Sequence, residues 1–248
     1  MVTEANISNL LAQYEHNGVV HVPCLFNSTE VVEIRQRTDD YIRDRLAQLP
    51  STDYVLEADG RSVRNLWRMH EHDPLFAALA QRPHIRSLAA ALVHGEPVLM
   101  SVETFNKPAR VGSAVPYHQD NAYFCQTPPD VLTVWVAIDA ATIENGAVYY
   151  LPETHRQGVL PHKLSGVRGN SMSLADPSNL DTSKELLGAL ASGDAMIHHC
   201  QTIHRSAPNT SGRPRCGLLL VYRGAHTRDD PELKVRYDQA LALSLRST

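Results

Sequence analysis

Little in this chain of 248 residues is suited to cross-linking, membrane insertion or binding a polyanion. It has four cysteines, Cys24, Cys125, Cys200 and Cys216, widely spaced and without a CxxC pair. That spacing argues against a disulfide framework or a structural zinc site, so reduced thiols in a cytoplasmic protein are expected. No apolar run approaches the roughly 18 residues of a membrane span. The opening MVTEANISNLLAQ has neither a basic segment nor a continuous apolar stretch, so no secretory leader is expected. Lys and Arg total 23 against 27 Asp and Glu, a formal charge of -4. That balance gives no electrostatic reason to expect nucleic acid or an anionic membrane as partner. GxGxxG and GxxxxGK[ST] are both absent, so no nucleotide cradle is supported. There is no internal repeat and no low-complexity segment.

What is present is an ordinary globular composition, 43% hydrophobic and 20% charged, in a length that buries a sizeable core. Residues 5 to 16 read as a helix with Ile7, Leu10, Leu11 and Tyr14 on one face. VVHV (19–22) reads as a short strand. Ser28 is expected to cap a long helix reaching about Leu49, with Val31, Val32, Ile34, Tyr41, Ile42 and Leu46 buried. Two further helices are expected near 74–81 and 84–93. From Pro97 the character changes to short β-rich runs (PVLMSVETFN, VLTVWVAID, GAVYYLP, AMIHHC, RCGLLLVYRG) separated by turn residues. That spacing indicates an antiparallel sandwich or barrel. The expected architecture is mainly β with a helical N-terminal layer, in one domain over 1–248. Residues 1–95 would be the helix-rich support and 96–226 the barrel. Residues 161–190, polar and rich in Ser, Asn, Gly and Asp, read as a mobile excursion or an active-site lid.

Thirteen histidines are many for this length, and three positions stand out among them and their neighbours. In His118-Gln119-Asp120 an extended backbone would point imidazole and carboxylate to one side. The tripeptide alone is weak, since 13 His and 15 Asp in 248 residues produce about one HxD by chance. His204 strengthens it, because two histidines and one carboxylate suit a divalent iron that keeps its opposite face open. Arg215 follows a stretch of loop breakers and is expected on a strand adjoining that of His204, facing the same interior. No acid lies nearby in sequence, which leaves this arginine for a bound carboxylate.

The chain resembles the phytanoyl-CoA dioxygenase family of Fe(II)- and 2-oxoglutarate-dependent oxygenases. The resemblance runs through VRNLWRMH (63–70), FNKP (105–108), YHQDNAYF (117–124), TVWVAIDAATIENGAVYYLPETHRQG (133–158) and GDAMIHHCQTIHRSAPNTSGRPR (193–215). It implies a double-stranded β-helix (jelly-roll, cupin-like). It implies His118, Asp120 and His204 as iron ligands, and Arg215 with Ser206 at the distal carboxylate of 2-oxoglutarate. Trp135 would line the co-substrate pocket, with Thr133 on the same face. Two positions depart from the family pattern: Glu153 stands where Gly is usual, and Glu103 where relatives often place a neutral residue. The intact Asp120 favours hydroxylation or another hydrogen abstraction over halogenation, for which related enzymes replace the carboxylate by a small residue.

Other candidates are weighed on their own chemistry. His198 and His199 compete with His204, although adjacent strand residues face opposite ways, so at most one points inward. His155 reads as a local hydrogen-bonding residue. In segment 61–72, His70 or Arg64 would contact substrate, or else the segment is a solvated basic face. Glu103 would hold a cationic or hydroxyl-bearing substrate group, or else pair with an arginine. Cys125 and Cys200 read as packing residues.

The expected activity is oxidation of a small or medium organic molecule with Fe(II), 2-oxoglutarate and O2, releasing succinate and CO2. A metal-dependent hydrolase or isomerase with the same triad, or a non-catalytic binding member, are the rivals. Neither gives Arg215 and the triad together a role. Nothing calls for an acyl-CoA, and a monomer or homodimer is expected.

Overall fold

The computed structural model describes residues 4–245. Its N-terminal part runs α1 (Glu4–Asn17), β1 (Val19–Val22), α2 (Ser28–Arg45), β2 (Tyr54–Leu56), β3 (Val63–Leu66), α3 (Met69–His72), α4 (Pro74–Ala80) and α5 (Pro83–Leu92). The remainder begins with β4 (Pro97–Lys107), β5 (Val115–His118), α6 (Asn121–Phe124), β6 (Gln126–Thr127), β7 (Val131–Ala137) and β8 (Val148–Tyr150). It continues through β9 (His162–Val167), β10 (Asn170–Leu174), β11 (Leu186–Gly188), β12 (Ala195–His199) and β13 (His204–Ser206). It ends with β14 (Arg215–Gly224), β15 (Arg228–Asp229) and α7 (Pro231–Leu245). No described helix is long and apolar enough to cross a membrane.

Two antiparallel sheets make the double-stranded β-helix. The larger has the order β1-β12-β7-β14-β4-β3-β2 and the smaller β11-β8-β13-β5. β7 shows how sequence builds the larger sheet. All seven residues of VLTVWVA are buried, because the strand is covered on both sides. Leu132, Val134 and Val136 join a core that includes Ile34, Tyr41, Phe76, Ile85 and Leu88 of the helices. Trp135 and Ala137 alternate with them and pack with Val148, Tyr150 and Met196 inside the barrel.

The helical layer largely follows the apolar pattern, with two differences. The cap of α2 is Asn27 and not Ser28: its side chain accepts from Glu30 N at 3.0 Å while the Glu30 carboxylate accepts from Asn27 N at 2.7 Å. The reciprocal pair satisfies two end donors where Ser28 would satisfy one. Val32 is 68% exposed, since Val31, Ile34, Thr38 and Tyr41 form the buried stripe and Val32 is rotated off it.

The division at residue 95 is crossed by the chain. β1 from the N-terminal part forms one edge of the larger sheet, and β3 and β2 form the other. The C-terminal helix α7 was not foreseen. The 161–190 segment is a built structure: β9 and β10 form a hairpin, and β11 is an edge strand of the smaller sheet. Within this segment, the hairpin and the 175–185 connection lie outside the two barrel sheets.

Candidate active site

His118 ends β5, and the register of the smaller sheet sets His204 of β13 directly opposite it, with ring centroids 4.1 Å apart. Asp120 is not part of the strand. Its backbone is already helical (φ -60, ψ -35), at the cap of α6. The common direction of His118 and Asp120 therefore comes from a turn leaving the strand and not from the pleat. One ligand atom from each of His118, Asp120 and His204 lies within 4.8 Å of the others, and all three residues are buried. Such a spacing and donor set suit one ion held on one face.

Neighbouring groups orient each of the three side chains. Nδ1 of His118 lies 2.9 Å from Pro116 O and Nδ1 of His204 lies 2.9 Å from Thr202 O. With the proton on Nδ1, each ring presents the Nε2 lone pair to the site. Burial, followed by the neighbouring His118, holds His204 well below the usual histidine range, which keeps a ligand nitrogen free. Burial alone would raise Asp120, but His204, His118 and His198 outweigh it and hold the carboxyl well below its usual range. Asp120 Oδ2 accepts from Thr133 Oγ1 at 3.3 Å and lies 3.1 Å from His198 Nε2. Oδ1 lies 3.5 Å from Nε2 of both His118 and His204 and accepts from Tyr123 Oη at 2.5 Å. One carboxylate oxygen is thus tied back, and the other is turned toward the two imidazoles. Gln119 faces away, where Nε2 donates to Gly158 O and Gln201 O while Oε1 accepts from Leu160 N.

A cavity of about 630 Å³ opens from the triad. Arg215 lies in it, and is not on a strand adjoining β13 as expected. β13 belongs to the smaller sheet and β14 to the larger, so the 207–214 connection crosses the barrel and sets the two residues on facing walls. Arg215 donates to Gly146 O at 2.7 Å and Phe105 O at 3.4 Å, and its guanidinium carbon stands 5.0 Å from the Trp135 ring. Gly217 makes that stack fit: a Cβ there would come within 2.4 Å of the Trp135 ring. No carboxylate hydrogen-bonds to Arg215 among the described residues, and its Nε is buried without a partner. Burial lowers the guanidinium to about 10, which leaves it charged at neutral pH. Tyr150 Oη, also at the cavity, is buried without a partner. A buried cation and orphaned donors fit a bound acid. Ser206, Trp135 and Thr133 line the same cavity.

The sequence model described as phytanoyl-CoA dioxygenase (PhyH) matches residues 14–217. The chain belongs to the phytanoyl-CoA dioxygenase family. It is 26% identical over 241 residues to an L-proline trans-4-hydroxylase of Streptomyces griseoviridis, covering 90% of this chain and 88% of that one. It is 30% identical over 154 residues to a phytanoyl-CoA dioxygenase of Arabidopsis thaliana, covering 61% of this chain but about half, 53%, of that relative. The structure of EvdO2 from Micromonospora carbonacea var. aurantiaca matches with a TM-score of 0.72 at 25% identity, over 92% of this chain and 93% of that one. EctD from S. alaskensis, solved with 2-oxoglutarate and 5-hydroxyectoine, shares the fold with a TM-score of 0.76 at 18% identity, over 92% and 78% of the two chains.

Not every candidate of this family member reaches the cavity. His70 Nδ1 accepts from Val102 N at 3.2 Å, fixing α3 to β4. Arg64 is 3% exposed and pairs with buried Glu57 at 3.1 Å, with further bonds to Ser113 O and Ala114 O. Neither residue lines the cavity, and Arg64 is no part of a solvated face. Trp67 and Arg68 from the same segment do line it. His199 faces outward and packs near Tyr14 and His155, at ring distances of 6.1 and 5.4 Å. His198 faces inward and meets Asp120. Cys125 and Cys200 are buried, and burial pushes both thiols up, Cys125 to about 11, which suits packing better than nucleophilic chemistry. Tyr123, Tyr150 and Tyr237 of α7 line the cavity without having been singled out. Tyr123 had a signal, since it follows Asp120 by one helical turn.

Proposed function

We propose that the protein is an Fe(II)- and 2-oxoglutarate-dependent dioxygenase that hydroxylates, or otherwise oxidises by hydrogen abstraction, a small polar metabolite. The observation that carries this is Arg215, a buried cation without a protein counter-ion in a cavity that also holds the His118–Asp120–His204 triad. When bound, iron with 2-oxoglutarate and O2 supplies the oxidant for a C–H bond and leaves succinate and CO2. The chain's own task is placement. His118 and His204 offer Nε2 and Asp120 offers Oδ1, while Thr133 and His198 hold the other carboxylate oxygen. Arg215, with Tyr150 and Ser206 nearby, receives the distal carboxylate of 2-oxoglutarate. The apolar side chains around them, Val148, Leu219 and Trp135, limit water at the reacting centre.

The β9–β10 hairpin serves as the lid, because Val167, Gly169, Asn170 and Ser171 contribute to the cavity wall from outside the barrel. Relatives carry names as different as L-proline trans-4-hydroxylase and hypophosphite dioxygenase. Substrate choice therefore has to come from the cavity walls of each member. A cavity of about 630 Å³ suits the co-substrate with a small or medium second molecule. The four free cysteines suit a reducing compartment such as the cytoplasm. A zinc hydrolase built on the same triad would leave Arg215 without a partner.

Anaerobic addition of Fe(II) and 2-oxoglutarate to the apoprotein tests this reading. A weak visible charge-transfer band is expected in the native protein and none in His204→Ala. A native protein that binds both without such a band would be no 2-oxoglutarate oxygenase.

A further inference from the structure

Most charges that reach the cavity are answered inside the protein. Arg68 pairs with buried Asp53 and donates to Thr52 O at 3.0 Å. Arg205 makes a two-pronged bridge to Glu185, 2.6 Å at each prong. Arg215 and the triad are accounted for by the co-substrate and the metal. One charge is left over. Glu103 of β4 stands opposite Leu219 of β14, and both side chains line the cavity. Its side-chain hydrogen bond is to Ser101, with Asp120 near enough to raise its pKa and Arg68 near enough to lower it, but no described Lys, Arg or His forms an ion pair with it. Burial, with Asp120 adding to it, outweighs Ser101 and Arg68 and pushes this carboxyl up to about 7.

A neutral residue would fill this position in the sheet without that penalty, so the fold gives no reason for a carboxylate. The surroundings give one. Trp67, Tyr123, Phe124 and Tyr237 line the same cavity, and aromatic faces favour a cation beside a carboxylate. A hydroxyl ligand would leave the negative charge uncompensated, whereas an ammonium group removes it.

We propose that Glu103 is the residue that selects the substrate, and that the substrate carries a protonated amine held as a carboxylate–ammonium pair. The cavity then has two opposite poles, Arg215 for the acidic co-substrate and Glu103 for a basic substrate. The proposal rests on the oxygenase reading above, since it takes the wall around Glu103 as the substrate side of that site.

Both tryptophans of the chain, Trp67 and Trp135, line the cavity, so intrinsic fluorescence reports occupancy without turnover. The protein, loaded anaerobically with Fe(II) and 2-oxoglutarate at about pH 8, is titrated with cyclic amines and their matched alcohols, such as cyclohexylamine and cyclohexanol. Amines should bind the native protein about tenfold or more tighter than they bind Glu103→Gln, with no such difference for the alcohols. Equal amine binding by both proteins, or no amine binding to the native protein, overturns the proposal. The charge-transfer band is read in the same samples: a band without amine selectivity defeats only the substrate assignment, and a missing native band defeats the oxygenase reading. If Glu103→Gln itself loses the band, Glu103→Asp takes its place, and it should bind amines more weakly while keeping the band. Unchanged amine affinity in Glu103→Asp overturns the proposal.

Discussion

The two ends of the cavity are built differently. At the Arg215 end, the guanidinium is anchored by two backbone carbonyls, Gly146 O and Phe105 O, and backed by Trp135. Every one of those supports lies in the barrel or its tight connections. Gly146, at φ +84 with Ala207 O 2.5 Å from where a Cβ would stand, holds its carbonyl in place by a backbone shape that favours glycine. Around Glu103 the carboxylate has Ser101 and the nearby Arg68, and part of the cavity wall comes from appended elements: α6, the β9–β10 hairpin and α7. Fixed construction suits a reagent that never varies, and walls from outside the barrel suit a partner that differs from one family member to the next. On the proposed reading, the same cavity would combine a rigid anion site with a loosely supported cation site.

Removing the anchor at the rigid end should have the larger effect. Arg215→Ala should weaken 2-oxoglutarate about 100-fold, near 3 kcal/mol, because it removes the partner of a buried charge. Iron affinity should stay within about threefold, since Arg215 touches none of the triad. Titration of the charge-transfer band with each component separates the two constants. Equal loss of both would mean that Arg215 is structural, and the contrast between the poles would collapse. A smaller effect is expected between the poles. His198→Phe keeps a ring of similar size against Tyr150, 5.3 Å away, but removes the group beside Asp120 Oδ2. Iron should then bind about 10-fold more weakly, as is usual when a ligand loses its orienting partner. 2-Oxoglutarate affinity at saturating iron should be little changed. Native iron affinity in this variant would reduce His198 to core filling.

The same contrast explains what could be read from the sequence. The sequence singles out the triad and Arg215 because a metal site and a co-substrate anchor would tolerate few residue types at few spacings, and the structure brings all four into one cavity. Their setting was less so. A breaker-rich connection such as 207–214 looks alike whether it reverses within a sheet or crosses between two, and here it crosses. Asp120 was placed on a strand because HxD has a period of two, while the chain had already turned into α6. Arg64 and His70 show the limit for single charges: nothing in the spacing reveals that Glu57 will neutralise Arg64 or that His70 will accept from Val102 N. Tyr150 sits in the doublet Tyr149-Tyr150, and only the pleat decides which ring faces the triad. Glu103 was the exception at the variable end, legible because a carboxylate on an inward strand position violates the pattern around it.

That violation makes the weaker pole measurable in the protein without ligands. The carboxyl of Glu103 is raised from about 4.5 to about 7, chiefly by burial. A raised acid holds its proton longer in the folded state than in the unfolded one. Below about pH 4.5 both states are protonated, and Glu103 neither adds nor subtracts stability. As pH rises toward 7 the unfolded chain ionises freely while the folded one resists, so stability falls, and above 7 the full penalty is present. Glu103→Gln should therefore match the native apoprotein near pH 4.5 and exceed it by about 1–2 kcal/mol at pH 8, after allowance for solvent entering the cavity. Denaturant melts at the two pH values decide it. A variant less stable than native at pH 8 would show that Glu103 already has a partner within the fold, and the basic-substrate pole would disappear with it.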